Sequence, residues 1–258
     1  MSKGETRLRI AAVADIHCTK KSFDDVRDLL AAMAKDADVL LLAGDLCDTG
    51  LVAEAEILSR ALAPLTVPVV AVLGNHDLEC GKAPEVEAIL CDVGVNLLDG
   101  KSCEIRGVGF AGVKGFAGGF GERALQPWGE PTIKAFVHEA VEEALKLESA
   151  LAGLRTKKRV ALLHYAPIVG TVMGEPPEIF PFLGSSRLEE PLNRYSVAAV
   201  FHGHAHRGSA EGVTKAGAPV YNVARSLLQR AGTGRPPFKV FEIDCEDKGS
   251  EHDGATQR

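Results

Sequence analysis

The stretch VPVVAVLGNHD, residues 67–77, joins a short apolar run to the polar end GNHD. Runs of about four to eight apolar residues bounded by Gly, Asp or Pro are typical of strands buried on both faces. Four other stretches have the same form: LRIAAVAD (8–15), DVLLLAGD (38–45), RVALLHYAP (159–167) and VAAVFHGHAH (197–206). The sequence therefore predicts a buried sheet whose strands are followed by polar side chains.

Segments with helical periodicity separate several of these strands. Ser22 is a residue type that favours the N-cap, and apolar side chains follow it at helical spacing as far as Met33. Three further helices are predicted, over 51–62, 84–91 and 132–151. The alternation of strands and helices in the first half predicts an α/β fold with parallel strand pairing.

The second half of the chain is less regular. Residues 104–113 predict a hairpin or an extension of the sheet, and APVYNVA (218–224) and FKVFEID (238–244) predict closing strands. The sequence contains no internal repeat and no interdomain linker. We therefore expect a single domain over 1–244 and a disordered polar tail over 245–258.

Charge and composition exclude some classes of partner. The net charge of −6 argues against a nucleic-acid or anionic-membrane binder, but a bound metal could still attract a small phosphorylated substrate. Six cysteines without a CxxC pair predict free thiols in a reducing compartment. The polar amino terminus and the lack of an apolar stretch of about 20 residues predict a cytoplasmic protein without a membrane span. The oligomeric state is not defined by the sequence.

The polar clusters contain metal-ligand types. Ligands bind at the carboxyl ends of strands in open α/β sheets, and six of the eight histidines follow predicted strands. Imidazole nitrogen and carboxylate oxygen suit Mn, Fe and Zn. Taken singly, an Asp after a strand could be a turn residue and a lone His could be structural. In FHGHAHRG (201–208), spacing alone leaves open how many of the three histidines are ligands. The candidate residues are Asp15, His17, Asp45, Asn75, His76, Asp77, His164, His202, His204 and His206.

The ordered set D-x-H, G-D, G-N-H-D, H and G-H-x-H, within 8–206, resembles the signature of the calcineurin-like metallophosphoesterases. The resemblance implies a four-layer α/β/β/α sandwich, with two mixed β-sheets flanked by helices and two metal ions at one edge. The first ion would be held by Asp15, His17 and His206, and the second by Asn75, His164 and His204. Asp45 would bridge the two ions, whose identity could be Mn, Fe or Zn.

The same resemblance gives His76 a catalytic role. It would donate a hydrogen bond to the phosphate or protonate the leaving oxygen, with Asp77 orienting its other ring nitrogen. Asn75 and His76 would contact the substrate. Arg207 follows the last ligand, so it could contact the substrate phosphate or be a solvated side chain. His202 would not be a ligand, because Gly203 is expected to end the strand and break the shared face.

Two residues differ from the motifs of related families, and these differences narrow the range of expected substrates. In GDLCDTG (44–50), Thr49 replaces the arginine of the protein phosphatases, and Asp48 replaces the tyrosine ligand of the purple acid phosphatases. The motif layout is closest to bacterial phosphodiesterases. Cys18 and Cys47 lie next to the ligands but are expected to pack in the core. The glycine-rich loop over 112–131 contains three possible pocket residues, Phe116, Arg123 and Trp128.

The resemblance implies hydrolysis of a small phosphodiester or phosphomonoester by a metal-bound hydroxide. The alternative is a non-catalytic scaffold or protein-interaction module with the same fold. The complete ligand set and the His76-Asp77 pair favour the enzyme. A nuclease of the same superfamily conflicts with the acidic net charge.

Overall fold

All five predicted apolar runs form strands in the computed structural model, which describes residues 7–232 and 236–245. The strands are β1 (Arg7–Val13), β2 (Val39–Ala43), β3 (Val69–Val72), β4 (Val95–Leu97), β5 (Lys101–Ile105), β6 (Val108–Val113), β7 (Lys158–Leu163), β8 (Ala199–His202), β9 (Glu211–Val213), β10 (Pro219–Asn222) and β11 (Lys239–Asp244). The helices are α1 (Phe23–Asp36), α2 (Val52–Leu62), α3 (Ala83–Asp92), α4 (Pro131–Gly153), α5 (Phe180–Leu183), α6 (Glu189–Arg194) and α7 (Arg225–Arg230).

The first sheet has the order β11-β1-β2-β3-β4. Strands β1 to β4 pair in parallel, as predicted, and β11 is antiparallel to β1 at the edge. Helices α1, α2 and α3 cover its outer face through a cluster of buried apolar side chains that includes Leu30, Leu58 and Leu90. Burial on both faces explains why β2 and β3 are continuous apolar runs instead of alternating patterns.

The second sheet has the order β5-β6-β7-β8-β10-β9. Its four central strands are parallel, and the edge strands β5 and β9 are antiparallel to their neighbours. The predicted hairpin is formed by β5 and β6, and both of its turn residues, Arg106 and Gly107, have positive φ. Helix α4 covers the outer face through buried residues such as Leu147 and Leu151.

A third apolar cluster lies between the two sheets. It includes Leu41 of β2, Phe110 of β6 and Phe201 of β8, all fully buried. Two mixed sheets packed face to face, with helices on both outer faces, confirm the four-layer α/β/β/α arrangement.

Several features differ from the sequence prediction or add to it. The Ser22 hydroxyl bonds Thr19 and does not cap α1. Short β4, β9, α5, α6 and α7 were not predicted. The predicted tail lies outside the described residues, apart from Cys245.

All six cysteines are free. Within 7–232 and 236–245, no helix is both long and apolar enough to cross a membrane.

Candidate metal centre

The candidate ligands meet where parallel strands of the two sheets end. Among the described residues, six that are not glycine have positive φ, and four of these are the candidate ligands Asp15, His17, Asp45 and His204. Left-handed backbone is unfavourable for side-chain-bearing residues and concentrates at functional sites. The strand ends therefore turn sharply here and bring these side chains together.

One group of candidate ligands consists of Asp15, His17 and His206, whose ligand atoms all lie within 4.8 Å of one another. His206 Nε2 is 3.0 Å from Asp15 Oδ1, and this interaction raises the pKa of His206. His17 Nδ1 is buried and has no hydrogen-bond partner among the described residues. Burial lowers the pKa of His17, so its imidazole is kept neutral, as a metal ligand must be.

A second group consists of Asp45, His164 and His204. His164 Nδ1 donates to the Ala43 carbonyl at 2.9 Å, which leaves Nε2 3.0 Å from Asn75 Oδ1 and 3.3 Å from Asp45 Oδ1. His204 Nε2 donates to the Phe182 carbonyl at 3.2 Å, which leaves Nδ1 as its possible ligand atom. Metal-binding histidines commonly donate their second N–H in this way.

Asp45 lies between these groups. Its Oδ1 is 3.3 Å from His164, and its Oδ2 is 4.0 Å from His17 Nε2. Burial opposes ionisation, but His164 and the backbone N–H of His76 hold the pKa of Asp45 below its ordinary value. A Cβ at Gly74 would lie 2.1 Å from Asp45 Oδ1, so the close approach of the two loops requires glycine.

The electrostatics of the second group favour positive charge. Burial alone would lower the pKa of His164, but Asp45, Asp15 and the Ala43 carbonyl raise it to about 9. Nearby carboxylates that stabilise a buried imidazolium also stabilise a cation. Metal ions therefore fit this set of carboxylate, imidazole and amide donors. The buried nitrogen of His17, which makes no hydrogen bond, agrees with this.

His76 lies beside both His17 and Asp45. Its ring centroid is 4.6 Å from that of His17, and its Nε2 is 4.0 Å from Asp45 Oδ2. The ligand atoms of these three residues also lie within 4.8 Å of one another. The His76 side chain is 37% exposed, so it can reach a bound substrate.

The expectation that Asp77 orients the His76 ring is wrong. Asp77 is fully buried, and its carboxylate accepts bonds from the backbone N–H groups of Leu46, Cys47 and Gly74 at 3.1, 2.7 and 2.8 Å. His76 Nδ1 instead donates to the Asp48 carbonyl at 2.6 Å. Asp77 thus connects the two loops that follow β2 and β3.

Asp48 is a site residue whose role was missed from the sequence. Its carbonyl accepts the hydrogen bond from His76, and its carboxylate Oδ1 is 3.6 Å from His17 Nδ1. Asp48 therefore contacts a candidate ligand and a candidate catalytic residue at once. Its position three residues after Asp45 was a usable signal in the sequence.

The remaining histidine of FHGHAHRG is packed away from the centre. Strand β8 ends at His202, as expected, so Gly203 breaks the register. His202 is buried; its Nδ1 donates to the Gly203 carbonyl at 2.8 Å, and its Nε2 accepts from Thr171 Oγ1 at 2.8 Å. Burial lowers the pKa of His202 to about 4, which keeps it neutral.

The other candidates are placed as follows. Cys18 and Cys47 are buried in the core, and burial raises the pKa of both thiols. Arg207 is exposed next to His206, and its backbone N–H donates to Glu175.

The three pocket candidates of the 112–131 loop have different environments. Phe116 packs against Phe136 and Tyr165, with ring centroids 4.9 and 6.0 Å apart. Arg123 lines a cavity beside these aromatic residues. Trp128 is 66% exposed and does not line that cavity.

Comparison with known proteins gives a family match. The family model for calcineurin-like phosphoesterases matches residues 8–208, which include all the candidate ligands. No curated protein matches the chain.

Three solved structures show the same fold. Phosphopantetheinyl hydrolase (PptH) from Mycobacterium tuberculosis is 15% identical, with 92% of this chain and 96% of that one covered and a TM-score of 0.64. GAP50, the anchor in the inner membrane complex of Plasmodium, is 11% identical, with 93% and 82% covered and a TM-score of 0.56. A putative 5'-nucleotidase from Staphylococcus aureus, in complex with alpha-ketoglutarate, is 15% identical, with 84% and 48% covered and a TM-score of 0.51. At these identities the likeness is one of fold.

Proposed function

The chain belongs to the calcineurin-like phosphoesterase family, whose members are metal-dependent phosphoester-hydrolysing enzymes, and we propose that it uses two metal ions to hydrolyse a small phosphodiester or phosphomonoester. The observation that carries this proposal is the position of Asp45 between two groups of candidate ligands. A carboxylate in that place could be shared by two cations, as two-metal hydrolysis requires.

We assign the ligands by these groups. Asp15, His17 and His206 would hold one ion, His164, His204 and Asn75 would hold the other, and Asp45 would contact both. Mn, Fe and Zn all suit this mixture of oxygen and nitrogen donors. Bound ions of this kind stabilise charge on phosphoryl oxygens and make water acidic enough to act as a nucleophile near neutral pH.

The protein groups around this centre bind the substrate and move a proton. His76 Nδ1–H is held by the Asp48 carbonyl, so Nε2 is the atom that faces the centre. A proton on Nε2 is donated to the leaving oxygen as its bond to phosphorus breaks. The Asn75 amide N–H and the Arg207 guanidinium are donors for the remaining phosphate oxygens.

Replacing His76 separates this role from metal binding. His76→Asn should lower kcat by about 100-fold or more, the usual contribution of a general acid, while metal content measured by mass spectrometry stays at the wild-type value. His138→Asn is the matched control, because His138 is exposed on α4 and pairs with Glu142. Loss of metal from His76→Asn would show that His76 is a ligand.

A substrate screen tests the activity itself. Purified protein supplied with Mn²⁺, Fe²⁺ or Zn²⁺ is offered 4-nitrophenyl phosphate, bis(4-nitrophenyl) phosphate, cyclic nucleotides and nucleotide diesters. The proposal expects metal-dependent hydrolysis of at least one ester class. Failure on every ester with every metal would refute it and favour a non-catalytic role.

A further inference from the structure

An apolar cavity of about 360 Å³ is lined in part by Phe182, the residue whose carbonyl accepts the His204 N–H. Its walls include Leu125 from the glycine-rich loop, Ile133 and Phe136 from α4, and Pro181 and Phe182 from α5. A volume of this order is typical of small-molecule sites. None of these residues belongs to the proposed ligand set.

One residue connects the cavity to the metal centre. Phe182 lines the cavity with its side chain and accepts the His204 N–H with its carbonyl. A row of aromatic rings makes a second connection: Tyr165 lies 4.4 Å from the His204 ring and 6.0 Å from Phe116, which lies 4.9 Å from Phe136. The cavity therefore lies on the His204 side of the metal centre.

The exposure of the wall points to an apolar ligand. Phe182 is 59% exposed, and three more of the large exposed apolar residues, Val169, Met173 and Ile179, lie in the same segment after β7. Exposed apolar groups that cluster beside a site commonly mark a binding surface. Arg123 also lines the cavity, and its guanidinium makes no hydrogen bond or ion pair with the described part of the chain.

We propose that this cavity binds an aromatic or apolar group that stays attached to phosphorus, so that the preferred substrate is a phosphodiester. This inference rests on the proposed function. Water adds to phosphorus, the bond from phosphorus to the leaving oxygen breaks, and that oxygen takes a proton, while the bond to the retained group is kept.

The positions of His76 and His204 indicate that the retained group, not the leaving group, enters the cavity. The leaving oxygen must face His76, which contacts His17 and Asp45. The cavity is connected instead to His204, through Phe182, and the His204 ring packs against His164 and Tyr165. Arg123 would favour a retained group that carries a negative charge.

The inference is tested with two diesters that share the 4-nitrophenyl leaving group and differ in the retained group. They are methyl 4-nitrophenyl phosphate and phenyl 4-nitrophenyl phosphate, both assayed with Mn²⁺. We expect wild-type kcat/KM to be about tenfold higher for the phenyl ester, a usual gain from filling an apolar pocket. In Phe182→Ala, whose backbone carbonyl is kept, the ratio of the two kcat/KM values should fall towards one, mainly through a higher KM for the phenyl ester.

Controls separate the possible failures. Leu145→Ala removes an exposed apolar side chain of α4 outside the cavity and should leave the ratio unchanged. If Phe182→Ala does not fold, Ile133→Ala tests the opposite wall in the same way. Equal hydrolysis of both diesters by the wild type, or an unchanged ratio in the variants, would overturn this inference but not the proposed function. Failure of the wild type on every ester would overturn the proposed function.

A diester whose retained group is negatively charged tests whether Arg123 contacts that group. With 4-carboxyphenyl 4-nitrophenyl phosphate, Arg123→Gln should raise KM by about tenfold and change the phenyl ester little, because a charge-assisted hydrogen bond is lost. The same KM change for both esters would overturn the role of Arg123.

Discussion

Replacing Asp77 with Asn distinguishes a structural anchor from a residue that orients the catalytic histidine. The Asp77 carboxylate is buried and accepts three backbone N–H bonds that join the loops after β2 and β3. Asn keeps one oxygen, which can take over the bonds from Leu46 and Gly74. Its amide nitrogen then faces the Cys47 N–H, a second donor.

The expected loss of stability follows from this one pair of facing donors. A hydrogen bond to a charged group contributes about 1.5–3 kcal/mol, and its loss leaves a buried N–H unpaired. Burial also raises the pKa of Asp77 to about 6, so the charged form is itself costly and its removal recovers part of the loss. We expect a net destabilisation of about 1–3 kcal/mol, or a Tm lowered by about 2–12 °C for a chain of this size.

Thermal unfolding of the full-length protein measures this effect. Asp99→Asn is the control, because Asp99 is exposed and pairs with Lys146, so its loss should change stability by no more than about 1 kcal/mol. If Asp77→Asn kept the wild-type Tm and lost only kcat, the anchoring role would be refuted and the orienting role restored.

Three other replacements follow from the geometry of the centre. Asp48→Ala removes the carboxylate beside His17 Nδ1 and should weaken metal binding by about tenfold in calorimetric titration; an unchanged Kd would contradict this. His202→Gln should keep the full metal content while lowering Tm, and metal loss would make His202 a ligand. Gly74→Ala should abolish activity, because its Cβ would meet Asp45; a variant with wild-type turnover would show that the loops can separate.

The sequence predicted the parts of this molecule that depend on local pattern. Strands buried on both faces must be apolar throughout, so β1, β2, β3, β7 and β8 were visible as runs. Parallel pairing brings the carboxyl ends of strands to one edge, which explains why the polar ends of these runs predicted which residues would meet. The three-residue strands β4 and β9 give no such run.

Features that depend on contacts between distant segments were not predictable. Asp77 is adjacent to His76 in the chain, but its carboxylate points to N–H groups of the loop after β2, about 30 residues earlier. Likewise, β11 was predicted as a strand, but a local pattern does not say that it joins the first sheet. Partner choice is set by how the whole chain packs.

The position of β11 affects how the chain can fold as it is synthesised. Strand β1, which leads to Asp15, pairs with β11 along six residue positions, from Arg7 with Asp244 to Ala12 with Lys239. On the ribosome, β1 emerges more than 200 residues before this partner and keeps an unpaired edge until then. Unpaired apolar edges invite association between chains. Nascent chains that end before β11 should therefore aggregate or recruit chaperones, although they already contain every proposed metal ligand.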